Sequence, residues 1–104
     1  MEYSFVMRYK IHSTDIYNRW FGKLKDVAIK QKILARLARV ENGNIGDCKQ
    51  LSPFLFELRF FFGGGLRIYY TSRGDRIILL LTGGDKSSQE KDIEKAEKLL
   101  HELE

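Results

Sequence analysis

The sequence predicts a single α+β domain over residues 1–104, a small and mostly antiparallel sheet backed by two N-terminal helices, with one more helix at the C-terminus. Three observations predict it. The chain has 104 residues, 43% of them hydrophobic, which is enough for one modest core and not for two. Hydrophobic periodicity changes along the chain in the order alternating, helical, helical, then three strand-like runs, then helical. The turn-forming clusters Asn42-Gly43, Gly63-Gly64-Gly65, Arg73-Gly74-Asp75 and Gly83-Gly84 fall between those runs.

Each element has a local cause. Tyr3 to Ile11 alternates and is rich in aromatic and β-branched residues, which suits a strand. Ser13 or Thr14 can cap a short helix carrying Ile16, Tyr17, Trp20 and Phe21, with Gly22 as its stop. From Lys23 to Glu41 the pattern stays helical, and Asn42-Gly43 ends it. At 100° per residue that helix places Val27, Ile29, Ile33, Leu34, Leu37, Ala38 and Val40 on one half. Lys25, Lys32, Arg36 and Arg39 gather on the other as a basic stripe. A loop then leads through Cys48–Leu51 to Pro53.

Three strands follow. Phe54–Phe62 alternates, with Leu55, Glu57, Arg59 and Phe61 on its less apolar face. Leu66–Thr71 puts Arg67 and Tyr69 on one face and Ile68 and Tyr70 on the other. Ile77–Thr82 is apolar on both faces, as a central strand covered twice should be. Gly83-Gly84 breaks the run, and Ser87 with Glu90 forms a capping box for a last helix with an Ile93, Ala96, Leu100, Leu103 seam. The domain is too small to enclose a large cofactor, so its site is an open surface or shallow groove facing a large partner.

Charge and cysteine count narrow the chemistry. A net charge of +4 favours a polyanionic partner, although a few surplus lysines also suit an ordinary solvated surface. The lone Cys48 excludes an internal disulfide and a cysteine metal cluster. The start of the chain lacks the apolar run of a signal peptide, and the run Ile77 to Leu81 is too short to cross a bilayer, so a soluble, cytoplasmic protein is expected.

The hairpin and the Gly-Gly turn hold the candidate chemistry. Hairpin pairing brings Arg67 near Arg59, and Lys86 sits just before a helix start, where polar groups converge without entering the core. Metal-free RNA cleavage needs a base for the 2′-hydroxyl, cations for the phosphorane and an acid for the 5′-oxygen. Arg59, Arg67 and Lys86 can supply the cations, since guanidinium groups match phosphate oxygens. Glu57 is a candidate base, and Lys86 a candidate base or acid. Tyr69 or Tyr70 can stack on a nucleobase, although Tyr70 shares its face with Ile68 and suits the core. Glu57 and Arg59 also read as a solvated pair, the stripe as a solvated face, and His12 and His101 as surface residues.

Glu57-Leu58-Arg59 and Gly65-Leu66-Arg67-Ile68-Tyr69-Tyr70 resemble the central hairpin of the HigB-like addiction module killer branch of the RelE/ParE toxin superfamily. Leu79-Leu80-Leu81-Thr82-Gly83-Gly84-Asp85-Lys86-Ser87-Ser88-Gln89, followed by Asp92-Ile93 and Ala96, is close to the signature of that branch. The resemblance covers essentially the whole chain. It implies a RelE-like fold and the toxin of a type II toxin–antitoxin pair, restrained by an antitoxin of helix-turn-helix type. It implies a ribosome-dependent, metal-free mRNA endonuclease without cofactor, so the other partners are the ribosome and mRNA. Arg67 matches the third-strand arginine that contacts phosphate in RelE-type toxins, and Lys86 falls near their catalytic arginine after the last strand. Lys25, Lys32, Arg36 and Arg39 would then dock on ribosomal RNA. Two departures stand out. Glu57 takes a position where those toxins carry lysine, and Asp92 falls near their tyrosine. The hairpin also lacks the histidines of HigB-type toxins. The same fold carries ParE-type, non-enzymatic inhibition of DNA gyrase and inactive co-repressors, so these remain alternatives.

Overall fold

The computed structural model describes residues 8–103. In chain order the elements are β1 (Lys10–Ser13), α1 (Asp15–Lys23), α2 (Val27–Glu41), β2 (Cys48–Ser52), β3 (Leu55–Arg59), β4 (Arg67–Arg73), β5 (Ile77–Gly84), a 3-10 turn over Lys86–Ser88, and α3 (Gln89–Glu102). One five-stranded sheet runs β1-β5-β4-β3-β2, with β1 parallel to β5 and every other pairing antiparallel. This is the α+β architecture read from the periodicities.

The sheet is covered on both faces. On one, Tyr17 of α1 and Ile33, Leu37 and Val40 of α2 pack on Leu58, Ile68, Tyr70, Ile78 and Leu80. On the other, Ala96 of α3, with Ile93, Leu99 and Leu100 beside it, packs on Leu55, Tyr69 and Leu81. Alternate residues of β5 therefore enter opposite cores, which is why this strand is apolar throughout. No helix among the described residues is long and apolar enough to cross a membrane.

Several boundaries differ from the sequence reading, each for a local reason. The first strand is Lys10–Ser13, and the expected Tyr3–Met7 portion lies outside the described residues. Thr14 caps α1 by accepting from the Tyr17 N–H at 3.0 Å, while its hydroxyl donates to the Leu81 carbonyl at 2.7 Å and ties the helix to the sheet. Gly22 lies inside that helix rather than ending it. Asp26 starts α2 later than Lys23, because its carboxylate accepts from the N–H groups of Ala28 and Ile29. Cys48–Ser52 is a fourth strand after the helices; as an edge strand with exposed polar residues it shows no apolar alternation.

The α2 apolar arc is also narrower and rotated. Val27, Leu34 and Ala38 face solvent, and the inner face is Ile29, Ile33, Arg36, Leu37 and Val40.

At its end β5 continues through Gly83 and Gly84 instead of stopping before them. A side chain at Gly83 would collide with the Trp20 ring, and one at Gly84 with the Asp92 carboxylate and Ser88 hydroxyl. These glycines let α1 and α3 close on the strand end from opposite sides. The expected Ser87–Glu90 capping box does not form. Asp85 caps the 3-10 turn by accepting from the Ser87 N–H at 2.9 Å, and α3 begins at Gln89.

Candidate active site

Glu57 stands opposite Tyr69, and Arg59 opposite Arg67, so these four side chains leave the same face of the hairpin. It is the face that α3 covers. Glu57 is consequently 1% exposed and is not part of a solvated pair. Its Oε2 accepts from Gln89 Nε2 at 2.8 Å and lies 3.4 Å from Arg67 Nε. Arg67 Nε makes no hydrogen bond among the described residues, so the contact is one of charge rather than of hydrogen-bond geometry. A carboxylate removed from water requires such a counter-ion. This corrects the reading of Glu57 as a base that meets RNA, since its oxygens are enclosed between Arg67 and Gln89.

The three-glycine turn sets the position of Arg67. Gly63, Gly64 and Gly65 have φ of 61°, 71° and 77°, a region that residues with a Cβ resist. The turn aims the Gly65 carbonyl at Arg67 Nη1, which donates to it at 2.6 Å. The neighbouring Gly64 carbonyl accepts from the Lys86 N–H at 3.2 Å. A Cβ on Gly65 would lie 3.1 Å from Arg67 Nη1 and 3.3 Å from Lys86 Cβ. Arg67 and Lys86 thus flank one glycine. The Arg67 side chain is 15% exposed, and Lys86 is open to solvent.

Asp85 sits beside them with an ionised carboxylate. The Ser87 hydroxyl, followed by backbone N–H groups of Ser87 and Ser88, holds its carboxyl below the usual carboxylate range. A depression of about 420 Å³ lined by Lys86, Ser87, Gln89, Glu90 and Ile93 opens at this end of α3.

The other predicted site residues part company here. Arg59 turns to Asp47, with its Nη2 2.8 Å from Asp47 Oδ1, and does not join Arg67 and Lys86 in a three-cation clamp. Tyr69 is fully enclosed, with no surface on which a base could stack. Burial first, then the charges of Glu57 and Asp92, push its phenol far above its ordinary value and keep it neutral. Tyr70 is in the core as expected, its hydroxyl 3.0 Å from Cys48 Sγ. His12 and His101 are exposed.

The basic stripe of α2 divides in the same way. Lys25 precedes the helix, in the turn before Asp26. Arg36 is a structural group: its guanidinium donates to the carbonyls of Ile45 (twice), Asp47 and Arg59. Lys32 lies over the Phe62 ring at 5.0 Å, and Arg39 is exposed. Lys32, Arg36 and Arg39 line one wall of a groove of about 380 Å³ whose other wall is Phe60, Phe61 and Phe62.

Sequence reasoning missed Gln89, Asp47 and Asp85. Asp85 carries a local signal, an Asx residue two before a serine at a helix start. Gln89 and Asp47 carry none, because their partners stand 32 and 12 residues away.

The chain and its fold have relatives. Residues 19–101 match the family described as phage derived protein Gp49-like. An uncharacterized protein of Haemophilus influenzae is 42% identical over 97 residues, spanning 93% of this chain and 98% of its own. Among solved structures, a double arginine-to-alanine mutant of the Escherichia coli toxin RelE in the free state superposes with a TM-score of 0.69 at 14% identity, covering 88% of this chain and 98% of that one. A chain of the intact E. coli RelBE toxin–antitoxin complex does so with a TM-score of 0.61 at 16% identity, covering 74% and 95%. The chain belongs to the phage-derived Gp49-like family, and its fold is that of RelE.

Proposed function

We propose that this protein is the toxin of a toxin–antitoxin pair and acts as a ribosome-dependent mRNA endonuclease. The observation that carries the reading is the pairing of Arg67 and Lys86 across Gly65, beside an open depression at the start of α3. The RelE fold supports it, as does the likeness to a chain of a solved toxin–antitoxin complex.

The Arg67 guanidinium is held at two points, by Gly65 and Glu57, so it is preorganised to take phosphate oxygens. Charge that develops on the phosphorane falls between it and Lys86. Of the four candidate catalytic groups, Glu57 is enclosed and Arg59 is paired with Asp47, which leaves Arg67 and Lys86 to meet the reacting phosphate. Lys86, open to solvent at the edge of the depression, is the group we assign to proton transfer with the reacting oxygens. Glu57 and Gln89 act as positioning residues for Arg67. An antitoxin, of helix-turn-helix type and encoded alongside, would cover this surface and the basic side of α2.

The test is mapping of mRNA 5′ ends shortly after the protein is induced without its antitoxin. New ends within translated frames, absent in Lys86→Ala, are the expected result. Growth arrest with intact transcripts would transfer the assignment to gyrase inhibition, and absence of arrest would leave a binding role alone.

A further inference from the structure

Phe61 has no structural task. Its side chain is 93% exposed, while the phenylalanines on either side of it are packed into the α1/α2 core. Phe60 and Phe62 meet edge to face, with ring centroids 5.4 Å apart. The loop that carries them is closed by Phe60 N–H to the Leu66 carbonyl and Leu66 N–H to the Phe62 carbonyl, both at 3.0 Å. Two anchored neighbours in a closed loop hold Phe61 outward as a fixed projection, which leaves little conformational freedom to lose on binding.

The surroundings of that ring are cationic. Lys32, Arg36 and Arg39 line the groove beside it, and no carboxylate does among the described residues. The guanidinium of Arg36 is held by carbonyl oxygens, while the Asp47 carboxylate is engaged by Arg59, so the groove keeps its positive charge. A projecting aromatic ring bordered by cations fits a nucleobase stacked on the ring with its flanking phosphates on the cations. A protein partner would have to bring both a recess for the ring and carboxylates for the cations around it.

The same loop runs on to Gly64 and Gly65, which touch Lys86 and Arg67. We infer that Phe61, with Lys32 and Arg39, forms a single-stranded RNA site that stacks one base and leads the strand toward Arg67 and Lys86. The link to cleavage rests on the function proposed above; the binding site itself does not.

The test is fluorescence anisotropy of the full chain with a labelled single-stranded RNA of about 12 nucleotides, within the length such sites span. Phe61→Ala should weaken binding by about 5- to 150-fold, the contribution of one stacked base, with an unchanged salt slope. Phe61→Trp should restore it. Lys32→Ala should weaken binding and lower the salt slope by about 1. Wild-type affinity in Phe61→Ala, or no RNA binding by the wild type, overturns the inference. Loss of antitoxin binding in Phe61→Ala with RNA affinity intact would assign the patch to a protein partner instead. Phe61-dependent RNA binding without cleavage in cells would retain this site and remove only the nuclease reading. Unchanged melting temperatures are expected for both Phe61 variants, because the ring packs against nothing.

Discussion

Replacing Glu57 with alanine removes the only carboxylate that neutralises the mostly buried Arg67 among the described residues, and it strands the Gln89 amide as well. At 3.4 Å the gross attraction is about 5 kcal/mol for an effective dielectric near 20. Desolvation of both charges offsets much of this in the intact pair, yet that cost persists for Arg67 when its partner is gone. Arg67 retains some exposure, 15%, so a loss of about 2–4 kcal/mol is expected, slightly below that of a fully buried pair. Urea unfolding followed by circular dichroism measures it, as a midpoint shift of roughly 1–3 M at the slopes usual for small domains. A double-mutant cycle isolates the pair. Glu57→Ala/Arg67→Ala should be more stable than the sum of the single losses predicts, with a coupling of at least about 1 kcal/mol. A Glu57→Ala protein that loses under about 0.5 kcal/mol and shows no coupling to Arg67 would refute the counter-ion role. If that stable variant were also inactive, Glu57 would return to the chemistry itself.

Three further outcomes follow from the same geometry. Arg36→Ala removes four charge-assisted hydrogen bonds to loop and strand carbonyls and should lower stability by about 2–4 kcal/mol in thermal unfolding, with Arg36→Lys recovering only part; an unaffected melting temperature would count against its structural role. Lys86→Ala removes the solvent-facing cation beside Arg67, so cleavage should fall by about 10²- to 10⁴-fold in single-turnover assays while the melting temperature holds. Gly84→Ala drives a methyl group into Asp92 and Ser88 at the start of α3 and should cost about 1–3 kcal/mol, read as a lowered urea midpoint together with weakened protection of the first turn of α3 in hydrogen exchange.

The fold was legible because its signals are local. Alternation in β3 and β4, the apolar run of β5 and the helical periods of α2 and α3 all follow from residues within one or two turns of each other. The pairing of Arg59 with Arg67 was legible too, since a short glycine turn fixes hairpin register. The strand at Cys48–Ser52 escaped notice because an edge strand need not alternate, and Gly83-Gly84 reads as a break when the glycines in fact admit Trp20 and Asp92.

Sequence alone determined the α+β class, the strand covered on both faces, the core position of Tyr70 and the pairing of Arg59 with Arg67 across the hairpin. Tertiary structure alone decided the fate of each charged or polar side chain. A strand pattern shows which residues share a face, but only the docking of α3 shows that the face of Glu57 and Tyr69 is closed. A helical wheel separates Arg36 from the apolar half, but the loop after α2 folds back and supplies carbonyls that draw it inward. Hydrophobic periodicity is a short-range property of the chain, whereas the burial of a charge depends on partners brought from distant sequence. Arg67 and Lys86 became neighbours, and Phe61 was left alone outside, for that reason.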